Sequence, residues 1–182
     1  MISNRQRKAA FAMIKDIQQW IGYKSLTSFY EMLKIEFEKI MDYPEGKAFT
    51  LSEKGTDREY EVFMDWITDL YFDLGVQSEI SPVHYLTDIE NYMKQCIKHK
   101  VCAITGRPGA DIHHVDRIGM GSNRFKVDHS NYRRMALSRE YHQLCHMMGQ
   151  EEFDKLYHVV GVKTKANPYS IDVIDEKEVE DG

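Results

Sequence analysis

Apolar residues recur at helical spacing through the first hundred positions. Phe11, Ile14, Ile17 and Ile21 fall on one helical face, and Met13 and Trp20 widen that stripe. Ser28-Phe29-Tyr30-Glu31 has the spacing of a capping box, in which a hydroxyl and a carboxylate satisfy amides that a helix start leaves without partners. Leu33, Phe37, Ile40 and Met41 follow on one face. Thr56-Asp57-Arg58-Glu59 is a second box. The helix it opens carries Val62, Phe63, Trp66, Ile67, Leu70, Tyr71 and Leu74 near one face, and Gly75 predicts its stop. Thr87-Asp88-Ile89-Glu90 is a third box, before Tyr92, Met93 and Ile97. Lys47 to Ser52 alternates as a short strand does, and residues 76–86, with Pro82, read as a connector. Trp20, Trp66 and the tyrosines have faces on which bases could stack, but their helical spacing predicts a core role.

After Lys100 the helical period gives way to short β-like pieces, glycine-rich loops and clustered histidines. Six of the eight histidines lie between His113 and His158. The expected fold class is therefore α+β. A mainly helical N-terminal domain (1–100) precedes a small mixed module (101–168) and an acidic tail (169–182) expected to be disordered.

The chain has 182 residues, 42% hydrophobic and 29% charged, as an ordinary soluble globular protein does. No apolar run approaches the roughly 20 residues that span a bilayer, so no membrane partner is expected. The basic N-terminus lacks the apolar core of a signal peptide. Three cysteines, Cys96, Cys102 and Cys145, cannot pair evenly, and a reducing cytoplasm is the expected location. Net charge is −5 overall but unevenly spread. It is −6 over residues 1–92, +6 over 93–168 and −5 over 169–182. The basic middle block is where a polyanion such as DNA would dock.

The chemistry concentrates in that block. His113-His114 is followed after sixteen residues by Asn131, after ten more by His142, and after three more by His146. Neighbours on a strand point to opposite sides, so His113 and His114 serve different roles: one can hold a metal while the other faces substrate. If Ser138 to Met148 is a helix, His142 and His146 project from one face, as a metal site, or a ligand beside a phosphate contact, requires. Gly119 and Gly121 let the chain turn back, and Tyr132 to Leu137 could pair antiparallel with the first strand.

This order and residue set, from about Cys102 to Val162, resemble the HNH, or ββα-metal, nuclease family. The resemblance implies an endonuclease that hydrolyses phosphodiester bonds with one divalent ion, whether Mg, Mn, Ni or Zn. It implies His113 and His142 as metal ligands, and His146 as either a third ligand or a phosphate contact. It also implies His114 as the base that takes a proton from water, and Asn131 as the residue that orients that base. An imidazole suits the base because its ordinary pKa of about 6.5 leaves it neutral near physiological pH. Arg117, Arg124, Lys126, Arg133, Arg134 and Arg139 surround the motif and could hold flanking phosphates.

A wider resemblance links Cys102-Ala103-Ile104-Thr105-Gly106-Arg107-Pro108-Gly109 and Tyr157-His158-Val159-Val160-Gly161-Val162-Lys163 to phage-encoded HNHc proteins. These are similar to the RecA-dependent phage nuclease. The N-terminal part is similar to phage recombination mediators, from Ser3-Asn4-Arg5-Gln6-Arg7-Lys8 and the helix after it. That implies a role in phage DNA recombination or processing in the host cytoplasm, with single-strand-binding protein or a recombinase as candidate partners. The alternative is a non-catalytic accessory protein that binds single-stranded DNA or single-strand-binding protein. Many relatives carry a structural zinc knuckle built on Cys-x-x-Cys. Here that place reads Cys102-Ala103-Ile104-Thr105, so no structural zinc is expected. His129 and His158 read as structural or solvent-facing, Cys145 as a small buried apolar group, and Asp111 as not a ligand. Asp116 either supports a ligand or has no function.

Overall fold

Four helices, a strand pair and two further helices follow one another along the chain, in a computed structural model that describes residues 1–78, 80–116 and 129–165. Helix α1 (Asn4–Trp20) opens at Ser3, whose hydroxyl accepts from the Gln6 amide while the Gln6 side chain accepts from the Ser3 amide at 2.8 Å. It buries Ala9, Ala10, Met13, Ile14 and Ile17. Trp20 and Ile21, expected in the same stripe, are 49% and 45% exposed. The last turn runs past the edge of the core, and the Trp20 indole N–H donates to the Leu74 carbonyl at 3.0 Å.

Helix α2 (Leu26–Ile40) is capped by Ser25, which accepts from the Ser28 amide. Ser28, expected to open the helix, is its third residue. The earlier start carries Phe29 into the buried stripe with Leu33 and Phe37, while Ile40 and Met41 end exposed. Helix α3 (Asp57–Asp73) begins at the expected Thr56–Glu59 box. Helix α4 (Ile89–His99) begins one residue later than expected. Asp88 caps it, and the Thr87 hydroxyl meets the Tyr60 hydroxyl at 3.2 Å instead.

The alternation at Lys47 to Ser52 does not make a strand. Phe49 and Leu51 are buried, as the alternation implies, but no strand among the described residues supplies a ladder. Side chains take that place: Glu38 accepts from the Phe49 amide at 2.6 Å, and the Tyr30 hydroxyl sits 3.4 Å from the Leu51 amide. Phe37, Phe49 and Phe63 pack together with ring centroids 4.6–5.1 Å apart, and Trp66 closes on Phe63 at 5.8 Å. Each such ring contributes roughly 1.5–3 kcal/mol on full burial, and Trp66, partly buried, packs against that cluster.

Lys100 ends α4 in the left-handed conformation, φ 52° and ψ 44°. The chain then folds back on itself, Val101 bridging Pro108, before β1 (Asp111–His114) pairs antiparallel with β2 (Arg134–Leu137). The register sets Asp111 opposite Leu137 and His114 opposite Arg134. Strand β2 is shorter than the expected Tyr132–Leu137. The Arg133 amide leaves the ladder and donates to the Asp116 carboxylate at 2.7 Å. All four β2 residues are buried, because α4 covers the strand, Ala103 donates to Ala136, and Val162 exchanges two hydrogen bonds with Arg134. Helices α5 (Arg139–Met148) and α6 (Gln150–Tyr157) complete the fold. One apolar cluster runs from Ile2 to Val162, so helices and strand pair share a core. No helix among the described residues is long and apolar enough to cross a membrane. Gly119, Gly121 and the 169–182 tail lie outside the described residues.

Candidate metal centre

The strand pair and α5 bring three histidines together. Alternation along β1 turns His113 inward, 4% exposed, and leaves His114 half-buried. His142 and His146, four residues apart on α5, face His113 from the helix. The ring centroids form a near-equilateral triangle: His113–His142 4.8 Å, His113–His146 4.9 Å and His142–His146 4.9 Å. One ring nitrogen from each lies within 4.8 Å of the other two. Burial deepens from His146, exposed, through His142 to His113, so the triangle opens to solvent on the α5 side.

The electrostatics favour the neutral form of the two inner rings, His113 and His142. Burial lowers the His113 pKa, the neighbouring charges of His142 and His146 lower it further, and the Gln150 hydrogen bond opposes them. Burial and then His146 lower His142, against the pull of Asp111. Neutral imidazoles offer lone pairs, which is what a cation needs from a ligand. The His113 Nδ1 is buried with no hydrogen-bond partner among the described residues. A buried ring nitrogen left in this way costs roughly 1–3 kcal/mol, and a cation bound to its lone pair would relieve it. The donor set therefore fits a metal, and three imidazoles suit zinc, nickel or iron better than magnesium.

Around the triangle stand groups that the motif did not single out. Gln150 Oε1 accepts from His113 Nε2 at 2.9 Å, and Gln150 Nε2 donates to Asp154 Oδ1 at 2.7 Å. Asp111 lies 3.8 Å from His142 Nδ1 and 3.3 Å from the Arg139 guanidinium. Cys145 is buried as expected, but its sulfur sits 3.6 Å from His113 Nε2, at the site itself. Burial, with help from Asp154, pushes its thiol up to about 11, so it stays protonated. Gln150 and Asp154 lie beyond the histidine motif. Their one sequence signal is the four-residue spacing that sets both on one face of a helix opened by Gly149.

The other expected site residues distribute as follows. His114 closes β1 and is not one of the three clustered rings. Asn131 ends a short 3-10 turn (His129–Asn131) and is exposed. Arg133 is paired with Asp116, guanidinium to carboxylate at 2.7 Å, which holds that carboxyl below its ordinary value and assigns Asp116 a partner other than a metal ligand. Arg139 stands in solvent at the start of α5, its side chain 81% exposed. Arg134 corrects the expectation of a phosphate contact. It is fully buried, and its guanidinium donates to the Thr164 carbonyl at 2.6 Å, because all of β2 lies inside the fold. His158 is exposed and ends α6 in a left-handed conformation. Arg117, Arg124 and Lys126 lie outside the described residues, as does the surface they would form.

Two short antiparallel strands and a helix that present histidines from the first strand and the helix fit the ββα module of HNH nucleases. The chain belongs to the HNHc_6 family, described as Putative HNHc nuclease, whose family model matches residues 1–173. No curated protein and no solved structure matches it.

Proposed function

We propose that the chain is an endonuclease that nicks or cleaves DNA by metal-assisted hydrolysis of phosphodiester bonds. The observation that carries this reading is the triangle of imidazoles at the buried His113 Nδ1, in a chain of the HNHc nuclease family. His113, His142 and His146 hold one divalent ion. That ion supplies positive charge to the scissile phosphate and the leaving oxygen. His114, next along β1, takes the proton of the attacking water on a ring nitrogen. Asn131 steadies the turn that enters β2 and so orients that ring. Arg139 reaches a phosphate beside the scissile one, since its charge is exposed and only loosely matched by Asp111. The role in phage DNA recombination or processing rests on the likeness of the N-terminal part to recombination mediators.

Incubating supercoiled plasmid with the protein and Mg²⁺, Mn²⁺, Ni²⁺ or Zn²⁺ tests the reading. Nicked or linear product is expected with at least one ion, none after chelation, and none from His114→Ala protein that still binds DNA. A protein inert with every ion but able to bind single-stranded DNA would instead be the accessory factor.

A further inference from the structure

We propose that Gln150 and Asp154, on a helix outside the strand–strand–helix frame, form a relay that fixes the tautomer of His113 and so presents its Nδ1 lone pair to the metal. This rests on reading the histidine triangle as a metal centre. The surroundings of the Gln150 amide determine which way it points. Two acceptors face its nitrogen: Asp154 Oδ1 at 2.7 Å and the Met135 sulfur at 4.0 Å. The Cys145 thiol donates toward its oxygen at 3.5 Å, and His113 Nε2 lies 2.9 Å from that oxygen. Flipping the amide would set an N–H against the thiol and an oxygen against the carboxylate. The upright amide requires a hydrogen on His113 Nε2. A neutral ring then carries its lone pair on Nδ1, the buried nitrogen with no hydrogen-bond partner among the described residues.

The relay is held rigidly. Gly149 has φ 93° and ψ 150°, a conformation that residues with a Cβ avoid, and this turn swings α6 back beneath the histidines. Phe153, fully buried, anchors α6 in the core. By contrast, His142 Nδ1 is 3.8 Å from Asp111, beyond hydrogen-bond reach, and His146 is exposed. His113 is thus the most firmly oriented of the three rings. Gln150 is a positioning residue: it acts on the metal through His113. Partners behind a ligating histidine typically influence metal affinity about 10–100-fold.

The test uses the full chain with ¹⁵N-labelled histidine. Nitrogen shifts report the His113 tautomer in metal-free protein, and calorimetry reports Zn²⁺ affinity. Gln150→Met is expected to lose the Nε2–H preference and to weaken Zn²⁺ binding about 10–100-fold. Asp154→Ala, which frees the amide to flip, should give a smaller loss of both and serves in its place if Gln150→Met does not fold. The exchange Gln150→Glu with Asp154→Asn reverses the bond between the two side chains, the new amide donating to the new carboxylate, but keeps an acceptor against His113 Nε2 and should restore both readouts. Wild-type Zn²⁺ affinity and an unchanged tautomer in Gln150→Met or Asp154→Ala would overturn the relay. Wild-type protein that binds Zn²⁺ with the His113 proton on Nδ1 would also overturn it, leaving the metal centre intact. Wild-type protein that holds the Nε2–H tautomer but binds no Zn²⁺ would overturn the metal centre, and with it the relay's purpose.

Discussion

Gly161→Ala is expected to loosen the strand pair behind His114. A Cβ at Gly161 would lie 2.6 Å from Val115 Cγ2, 3.2 Å from Val115 Cβ and 3.3 Å from Arg133 Cβ. Carbon atoms rest about 3.5–4.0 Å apart, so the first contact overlaps by about 1 Å. Rotating the valine does not clear it, because its Cβ is also too near and its amide is tied to the Arg133 carbonyl at 2.9 Å. The 161–162 segment cannot drift away freely either, since Val162 shares two hydrogen bonds of 2.9 Å with Arg134. Gly161 is not among the glycines of positive φ, so alanine adds no backbone strain and the whole effect is steric. Overpacking of this kind costs about 1–3 kcal/mol. In a chain of this size, about 2 kcal/mol lowers the melting temperature by about 4–8 °C. Val115→Ala alone removes two half-buried methyl groups and should cost about 1 kcal/mol. Combined with Gly161→Ala it makes room for the new methyl, so the double variant should fall close to Val115→Ala and well above the sum of the two losses. Thermal melts followed by circular dichroism measure all three. Because Val115 follows His114, plasmid nicking should fall in Gly161→Ala and recover in the double variant. The reasoning fails if Gly161→Ala melts with the parent, or if Val115→Ala brings no relief.

The two arginines should part in their behaviour. Arg134→Ala removes a fully buried side chain and its bond to Thr164, so it should cost roughly 2–4 kcal/mol of stability with little change in the salt dependence of DNA binding. Arg139→Ala should melt normally but reduce the slope of log affinity against log salt by about 1, read by fluorescence anisotropy; the reverse pattern would contradict the assigned positions. Asp69 gives a pH prediction. Burial pushes its carboxyl up from the ordinary 3.8, but hydrogen bonds and charge from Lys98 and His99 outweigh that and leave it lowered. A lowered carboxyl adds stability that is present above the unfolded value and lost as pH falls through the folded one. Asp69→Asn should therefore be less stable at pH 7 by about 1 kcal/mol, discounted for partial exposure, and the gap from wild type should close below about pH 3.8. Equal urea midpoints at pH 7 would refute it.

The helical half was legible because its signals are local. Helical period and hydroxyl–carboxylate caps act within one or two turns, and they marked α1, α3 and the start of α3 at Thr56. The caps of α2 and α4 were missed by three residues and one, because a serine, threonine or aspartate at neighbouring positions can bind the same amides. Packing of Phe29 chose among them for α2. The histidine cluster was legible for a related reason: alternation in β1 and the four-residue spacing on α5 follow from backbone geometry.

Surroundings decided the rest. The alternation at Phe49 and Leu51 made two buried side chains but no strand, since a strand needs a neighbour and Glu38 and Tyr30 satisfied the backbone first. Trp20 and Ile40 continue apolar stripes, yet the core stops short of them. Arg134 reads as one more cation in a basic block, and only the cover from α4, Ala103 and Val162 makes it interior. Gln150 and Asp154 carry no motif, and the turn at Gly149 brings them beneath His113. The amino-acid sequence by itself determined which backbone pieces form and which imidazoles can converge, because those depend on neighbours along the chain. Tertiary structure decided what is covered and what stands behind each ligand, because burial and hydrogen bonding depend on neighbours in space.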